Sequence, residues 1–351
     1  TRPEAIKMAP LVKELASRDE IESLCCVTAQ HREMLDSVME VFDLKADCDL
    51  DIMTPRQTLS TITSKCLLGM DDAIEQLKPD MILVHGDTST TFAGALSAFY
   101  HKVPVGHVEA GLRTYDKYSP FPEEMNRKLV TAIADLYFCP TKNNRENLLK
   151  EGVTEGLFIT GNTVIDALKT TVRKDYRFTT ELLNELDYSR KVVLVTCHRR
   201  ENYGQPMENI MTALRDIALQ NEDCELVYPV HLSPVVRENA QMHNLMARCY
   251  MVMTDSGGLQ EEAPALGKPV LVMRKETERP EAVAAGTVKL CGVEYDDVLR
   301  MGNELLRSRE AYDAMAHAVN PYGDGHACAR IADAILWHFG RRSERPADFN
   351  A

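Results

Sequence analysis

The chain has no apolar run approaching the roughly 18 residues a membrane-spanning helix requires, and no stretch with the order of a secretory leader. A membrane partner is therefore not expected, and the cytoplasm is the expected location. Its ten cysteines form no CxxC pair and keep no regular spacing, so they read as small buried residues in a reducing compartment. Basic residues are in deficit: 40 Lys and Arg stand against 53 Asp and Glu, a formal charge of −13. Neutralising a phosphate backbone or an anionic lipid surface needs a net basic face, which excludes nucleic acid as the main partner. Any phosphate site must be local. There is no GxGxxG fingerprint, no HExxH, and no repeat with a period of 20–50 residues, so neither a nicotinamide cofactor nor a zinc-hydrolase site is expected.

What is present is length and alternation. At 351 residues the chain exceeds what one core usually organises, so two domains are expected. IESLCCVTA, DMILVHGD, VPVGHVEAG, DLYFCPT and GLFITGN read as strands, with TTFAGALSAFYHK, NNRENLLKEG and TVIDALKTTV as the helices between them. After the charged stretch DYRFTTELLNELDYSRK the pattern restarts with KVVLVTCH, CELVYPVH, CYMVMTDSGG and KPVLVM, and PMENIMTALRDIALQ reads as an amphipathic helix. Such alternation predicts two α/β domains of doubly wound parallel sheet, joined near 165–190.

The predicted strands end in polar groups: His85-Gly86-Asp87, His107-Val108-Glu109, Gly161-Asn162-Thr163, His198-Arg199-Arg200, His231 and Asp255-Ser256-Gly257-Gly258. Ligands of open parallel sheets sit beyond the carboxyl ends of the strands, so these ends are expected to line one cleft. Each has a plain structural reading beside the functional one. Asp87 or Thr88, and Asp255 or Ser256, can cap the helices that follow them. Ser256, Gly257 and Gly258 can equally offer amides to a diphosphate, with Glu261 and Glu262 accepting from a ribose and Arg274, Lys275 and Arg279 supplying charge. His85, Asp87, His107 and Glu109, spaced i, i+2 in pairs, could ligate a metal, although lone histidines are more often structural. In PFPEEMNR, Glu123 and Glu124 suit the first turn of a helix.

Taken together, TRPEAIKMAPL, TAQHREML, HGDTSTTFAGALSAF, GHVEAGLRT, SPFPEEMNR, TGNTVIDAL, HRREN, VYPVHLSPVVRE, DSGGLQEEAPALGKPVLVMR, ETERPEAVAAGT and NPYGDGHACARI closely resemble the non-hydrolysing UDP-N-acetylglucosamine 2-epimerases of bacteria and archaea. The resemblance runs from residue 1 to about 340. It implies two Rossmann-like domains of the GT-B type, with UDP in the cleft between them. The N-terminal domain would span 1–165 and be rejoined by a C-terminal helix within 326–351; the UDP-binding domain would span 166–325. The implied activity is reversible conversion of UDP-N-acetylglucosamine to UDP-N-acetylmannosamine, a precursor of surface polysaccharide. UDP leaves by anti elimination to give a 2-acetamidoglucal, then adds back with a proton delivered to the other face of C2. Alternatives that share the fold are a hydrolysing epimerase, a GT-B glycosyltransferase and a nucleotide-sugar sensor.

Carried over residue by residue, the resemblance implies Asp87, Glu109, Glu123 and His198 in catalysis. Arg2, Lys7, His231, Ser256, Gly257, Gly258, Glu262 and Arg279 would contact substrate and UDP. An activating second substrate would lie near Gln30, Arg56 and Arg200, where Glu33 replaces a glutamine of the members that have this site. No metal or cofactor is implied, and a homodimer is. Two departures accompany the resemblance: the family's first strand, which would precede Thr1, is not in the sequence, and some twenty residues that the family carries between Gln241 and Met242 are missing. An unpaired sheet edge or an exposed core is the expected consequence.

Overall fold

The computed structural model describes residues 2–29, 32–54, 56–229 and 239–350 and, within them, every side chain except those of residues 2, 3, 32–34 and 239. Gln30 and His231 lie outside the described residues. The chain divides into two compact units, Thr1–Ala167 with Gly323–Asn350, and Leu168–Tyr322.

In the first unit, α1 (Arg2–Ala16), β1 (Cys26–Val27), α2 (Arg32–Val41), β2 (Cys48–Asp49) and α3 (Leu59–Leu77) lead into the repeating part of the fold. There β3 (Ile82–His85), α4 (Ser89–Tyr100), β4 (Val105–Val108), α5 (Glu123–Ile133), β5 (Leu136–Cys139), α6 (Lys142–Lys150), β6 (Leu157–Ile159) and α7 (Thr163–Thr171) alternate. The four strands form a parallel sheet in the order β3-β4-β5-β6, and β1 pairs with β2 in a separate parallel pair. Both β4 and β5 are buried along their whole length, as a sheet covered on both faces requires. Alternate residues serve the two faces. Val108, Phe138 and Phe158 pack with Leu11 of α1 and with Cys328 and Ile331 of the last helix, whereas Val84, Val105 and Tyr137 pack with Ala95, Ala98 and Val130. Gly106 in β4 is required by this density, because a Cβ there would come within 2.6 Å of Leu83 Cδ2. Caps set the helix starts that matter for the site. Thr88 accepts from the Thr91 amide at 3.2 Å, so the residue just after Asp87 begins α4.

In the second unit, α8 (Glu181–Glu185), β7 (Lys191–Thr196), a 3₁₀ turn at Arg200–Asn202, α9 (Gln205–Gln220), β8 (Cys224–Val227), α10 (Asn239–Arg248), β9 (Met251–Thr254), α11 (Leu259–Ala265), β10 (Val270–Val272), α12 (Pro280–Ala284), β11 (Val288–Leu290), α13 (Tyr295–Arg307) and α14 (Arg309–Ala316) follow. The chain then returns to the first unit with α15 (Ala327–His338). The second sheet is parallel, in the order β11-β10-β9-β7-β8. Val193, Val195, Met251 and Met253 face α9 and α13, and Val192, Leu194, Val252 and Val270 face α10 and α11. After β8 the chain turns back past β7 to lay down β9, so the strand order reverses between β7 and β9. In a doubly wound sheet that is the point where a crevice opens for a ligand.

The doubly wound α/β class expected from the sequence is the one observed. The strand expected over IESLCCVTA shrinks to Cys26–Val27, because β1 has only the two-residue β2 to pair with and the residues before it stay half exposed. Among the described residues, no helix is long and apolar enough to cross a membrane.

Candidate active site

The carboxyl ends of β3 and β4 and the start of α5 bring Asp87, Glu109, Glu123 and Glu124 into the first unit's site, and the structure sorts them by what holds each one. Glu124 is fully buried, and its oxygens accept from the amides of Thr114 at 3.1 Å and Tyr115 at 3.0 Å and from Arg127 Nη1 at 3.1 Å. A carboxylate so engaged shapes the 114–115 loop and has no oxygen left for chemistry. Asp87 binds Arg127 through Oδ2 alone, at 2.9 Å to Nε and 2.5 Å to Nη2. Its Oδ1 has no hydrogen bond among the described residues.

Glu109 has a left-handed backbone, φ 62°, which swings its side chain off the end of β4. Lys7 Nζ reaches both of its oxygens, at 2.8 and 2.6 Å, and His85 Nε2 lies 2.8 Å from Oε2. Burial alone would push this carboxyl up, but the charge of Lys7, its hydrogen bonds and the nearby His85 outweigh it and hold the group well below the usual carboxylate range. Glu109 is thus ionised at neutral pH. Glu123 stands apart, half-buried in the first turn of α5, with a buried Oε2 that has no hydrogen-bond partner among the described residues.

The alternative of a metal on His85, Asp87, His107 and Glu109 does not match this geometry. His107 is fully buried, turned so that Nε2 lies 2.8 Å from the Gly86 carbonyl, and burial pushes its pKa down to about 4. His85 and Glu109 face each other, and among the described residues no group of three or more His, Cys, Asp or Glu side chains is placed to hold a metal.

In the second unit the site forms where β7 and β9 end, at the strand reversal. His198 is exposed on the turn after β7, and its Nδ1 lies 3.2 Å from Asp255 Oδ1. Neither Asp255 nor Ser256 caps α11, contrary to expectation: Gly258 occupies that position without a side-chain cap. Asp255 instead turns toward β7, where Oδ2 accepts from the amides of His198 at 2.7 Å and Arg199 at 2.8 Å. Glu262 is held from behind by a relay, Thr171 Oγ1 to His243 Nδ1 at 2.7 Å and His243 Nε2 to Glu262 Oε2 at 3.3 Å. Gly258 lies close against it, since a Cβ at 258 would be 3.3 Å from Glu262 Oε1.

The arginines expected to supply phosphate charge are engaged with acids. Arg279 Nε pairs with Glu261, and Arg274 pairs with Glu201 at 2.7 Å and Glu278 at 2.6 Å. Arg199 also reaches Glu278, at 3.2 Å. Burial would raise the Glu278 carboxyl, but Arg274 and Arg199 hold it down at about 2. Arg200 and Arg56 are exposed, Arg56 on a turn with φ 57°. Arg2 opens α1.

Arg127, Asp255 as a partner of His198, and His243 are functional residues that the sequence did not single out. Arg127 alone had a local signal: it follows Glu123 by four residues and Glu124 by three on one helix face.

Two parallel α/β units, each carrying its polar groups at the carboxyl ends of its strands, define the class as a tandem Rossmann-like protein of GT-B type. The sequence model of the family described as UDP-N-acetylglucosamine 2-epimerase matches residues 13–242 and 238–336. The Bacillus subtilis UDP-N-acetylglucosamine 2-epimerase is 53% identical over 369 residues, covering 99% of this chain and 96% of its own length. The structure of S. aureus MnaA with UDP superposes with a TM-score of 0.85 at 49% identity, covering 100% of this chain and 98% of that one. The structure of the Neisseria meningitidis UDP-GlcNAc 2-epimerase bound to UDP-GlcNAc superposes at 0.83 and 46% identity, covering 96% and 98%. The chain belongs to the UDP-N-acetylglucosamine 2-epimerase family. The alignment to the Bacillus protein spans more positions than this chain has residues, so that relative carries residues this chain lacks.

Proposed function

We propose that the protein reversibly inverts C2 of UDP-N-acetylglucosamine to give UDP-N-acetylmannosamine, without hydrolysis and without a metal or redox cofactor. The C2–H bond is not next to a carbonyl, so direct deprotonation is prohibitively slow. Loss of UDP from C1, anti to the departing C2 proton, gives a glucal to which UDP can return. Two faces of C2 then need two proton-transfer groups. The observation that carries this reading is the unequal holding of the acids. Glu123 has no hydrogen bond among the described residues and Asp87 keeps one oxygen uncommitted, whereas Glu109 is fixed as an anion and Glu124 is spent on structure.

We assign proton transfer to Glu123 and Asp87, with Glu109 as the anion that fixes Lys7 and His85. Lys7 is the cation of this cluster, suited to the negative charge that develops on a departing phosphate. His198, Ser256, Gly257, Gly258 and Glu262 are assigned to UDP and its departure. The resemblance also supports a homodimer and, with ten free cysteines, a cytoplasmic location.

Incubation with UDP-N-acetylglucosamine and separation of the nucleotides tests the reaction. UDP-N-acetylmannosamine should build up to a fixed ratio with substrate, with the nucleotide still attached. Free N-acetylmannosamine with stoichiometric UDP would instead make the protein a hydrolysing epimerase.

A further inference from the structure

We infer that Asp255 is a positioning residue that sets the tautomer and direction of the His198 ring. This rests on the reading that His198 meets the substrate. The Asp255 carboxylate is fully buried at the end of β9. One oxygen, Oδ2, is saturated: it accepts from the His198 and Arg199 amides and from Asn202 Nδ2 at 3.2 Å. Those three donors fix the carboxylate plane and leave the other oxygen no freedom to seek a partner. That oxygen, Oδ1, is buried and has no well-aligned hydrogen bond among the described residues. His198 Nδ1 lies 3.2 Å from it, within reach but not in the geometry of a hydrogen bond.

A buried carboxylate oxygen left without a donor keeps its full desolvation penalty, so the nearby imidazole is under pressure to present a proton at Nδ1. A neutral ring with Nδ1–H carries its lone pair on Nε2, on the side away from Asp255. The His198 side chain is exposed, so Nε2 is available to a ligand as acceptor when neutral and as donor when protonated. In either state the carboxylate holds the same ring orientation, as carboxylates behind functional histidines commonly do. The location agrees with this role, since β7 and β9 flank the reversal of strand order and the pair bridges their two ends. Asn202 belongs to the same device, because its amide also donates to the Met273 carbonyl at 3.2 Å and so ties the His198 turn to the end of β10.

Asp255→Asn is the informative variant. Its amide oxygen is the group able to accept from the three donors now on Oδ2, so the amide NH₂ must face His198 Nδ1. That forces the proton onto Nε2. Long-range proton–nitrogen correlation spectra of histidine-labelled protein, with the His198 signal assigned by its loss in His198→Ala, read the tautomer directly. The expected result is Nδ1–H in the native protein and Nε2–H in Asp255→Asn, with turnover lower by on the order of 10²-fold or more and KM little changed. Native protein with the proton on Nε2, or an Asp255→Asn spectrum identical to the native one, overturns the inference. If Asp255→Asn does not fold, the native tautomer alone decides. His198→Ala tests the underlying reading separately: full activity in that variant removes His198 from the reaction, while the tautomer result still judges what Asp255 does.

Discussion

Replacing Lys7 by methionine removes the cation that touches both oxygens of Glu109 while keeping the length of the side chain. The pair is largely buried, with 20% of the Lys7 side chain and 10% of the Glu109 side chain exposed. Breaking such a pair by removing one partner leaves an uncompensated charge and costs about 3–5 kcal/mol; the partial exposure of Lys7 and the continued presence of His85 place the expected loss at the lower end, about 3 kcal/mol at pH 7. The pH dependence follows from linkage. In the native protein the Glu109 carboxyl is depressed, so its stabilisation is present above the unfolded value and is lost only as pH falls through the lower folded value. In the variant, burial acts without Lys7 and the carboxyl takes up its proton at a higher pH. The gap in stability between the two proteins should therefore be widest near neutrality and narrow as pH falls. Trp337 is the only tryptophan and packs edge-on against Phe158, 5.9 Å between ring centres, so its fluorescence reports unfolding of the first unit. Urea titrations followed at Trp337 from pH 7.5 down to about pH 4 measure the gap. A loss that is the same at every pH, or none at pH 7, would refute the assignment of Glu109 as a carboxylate held by Lys7.

Glu123→Gln and Glu124→Gln should have opposite effects despite being neighbours. The first should lower turnover on the order of 10²-fold or more at nearly native stability, and the second should lower stability by about 1–3 kcal/mol through the 114–115 loop, both read by turnover assays beside denaturation. Asp87→Asn should also cut turnover severely while UDP affinity by calorimetry barely changes. Glu262→Gln should weaken UDP binding with the acids of the first unit intact; unchanged affinity would remove Glu262 from the ribose contact. Treatment with a chelator should leave activity unaltered, whereas loss restored by a divalent ion would revive a metal at His85, Asp87, His107 and Glu109.

The strands were legible where both faces of a sheet are covered. LYFC reads as an apolar run because every residue of it is buried, β4 is likewise buried throughout, and both strands stop where a polar group must meet the ligand side. Thr88 was legible as a cap because the residue that begins α4 and its partner Thr91 lie within one turn. The site's second layer was hidden for the converse reason. Lys7 meets Glu109 across 102 positions of sequence, and Asp255 meets the His198 amide across 57. Spacing carries no trace of such partners. Asp255 followed by Ser-Gly-Gly has the local pattern of a cap, and only the pairing of β7 with β9 turns it toward His198. Glu123 and Glu124 are chemically identical and adjacent in sequence. The fold separates them, because helix geometry points one into the 114–115 loop and leaves the other uncommitted.

In the proposed reaction the C2 proton of the sugar is taken by the protein and replaced from water while the nucleotide departs and returns. Proton NMR of UDP-N-acetylglucosamine with the enzyme in deuterated buffer tests it most directly. UDP-N-acetylmannosamine should form with deuterium at C2 and its UDP still attached; epimerisation that retains the original C2 proton would rule this mechanism out.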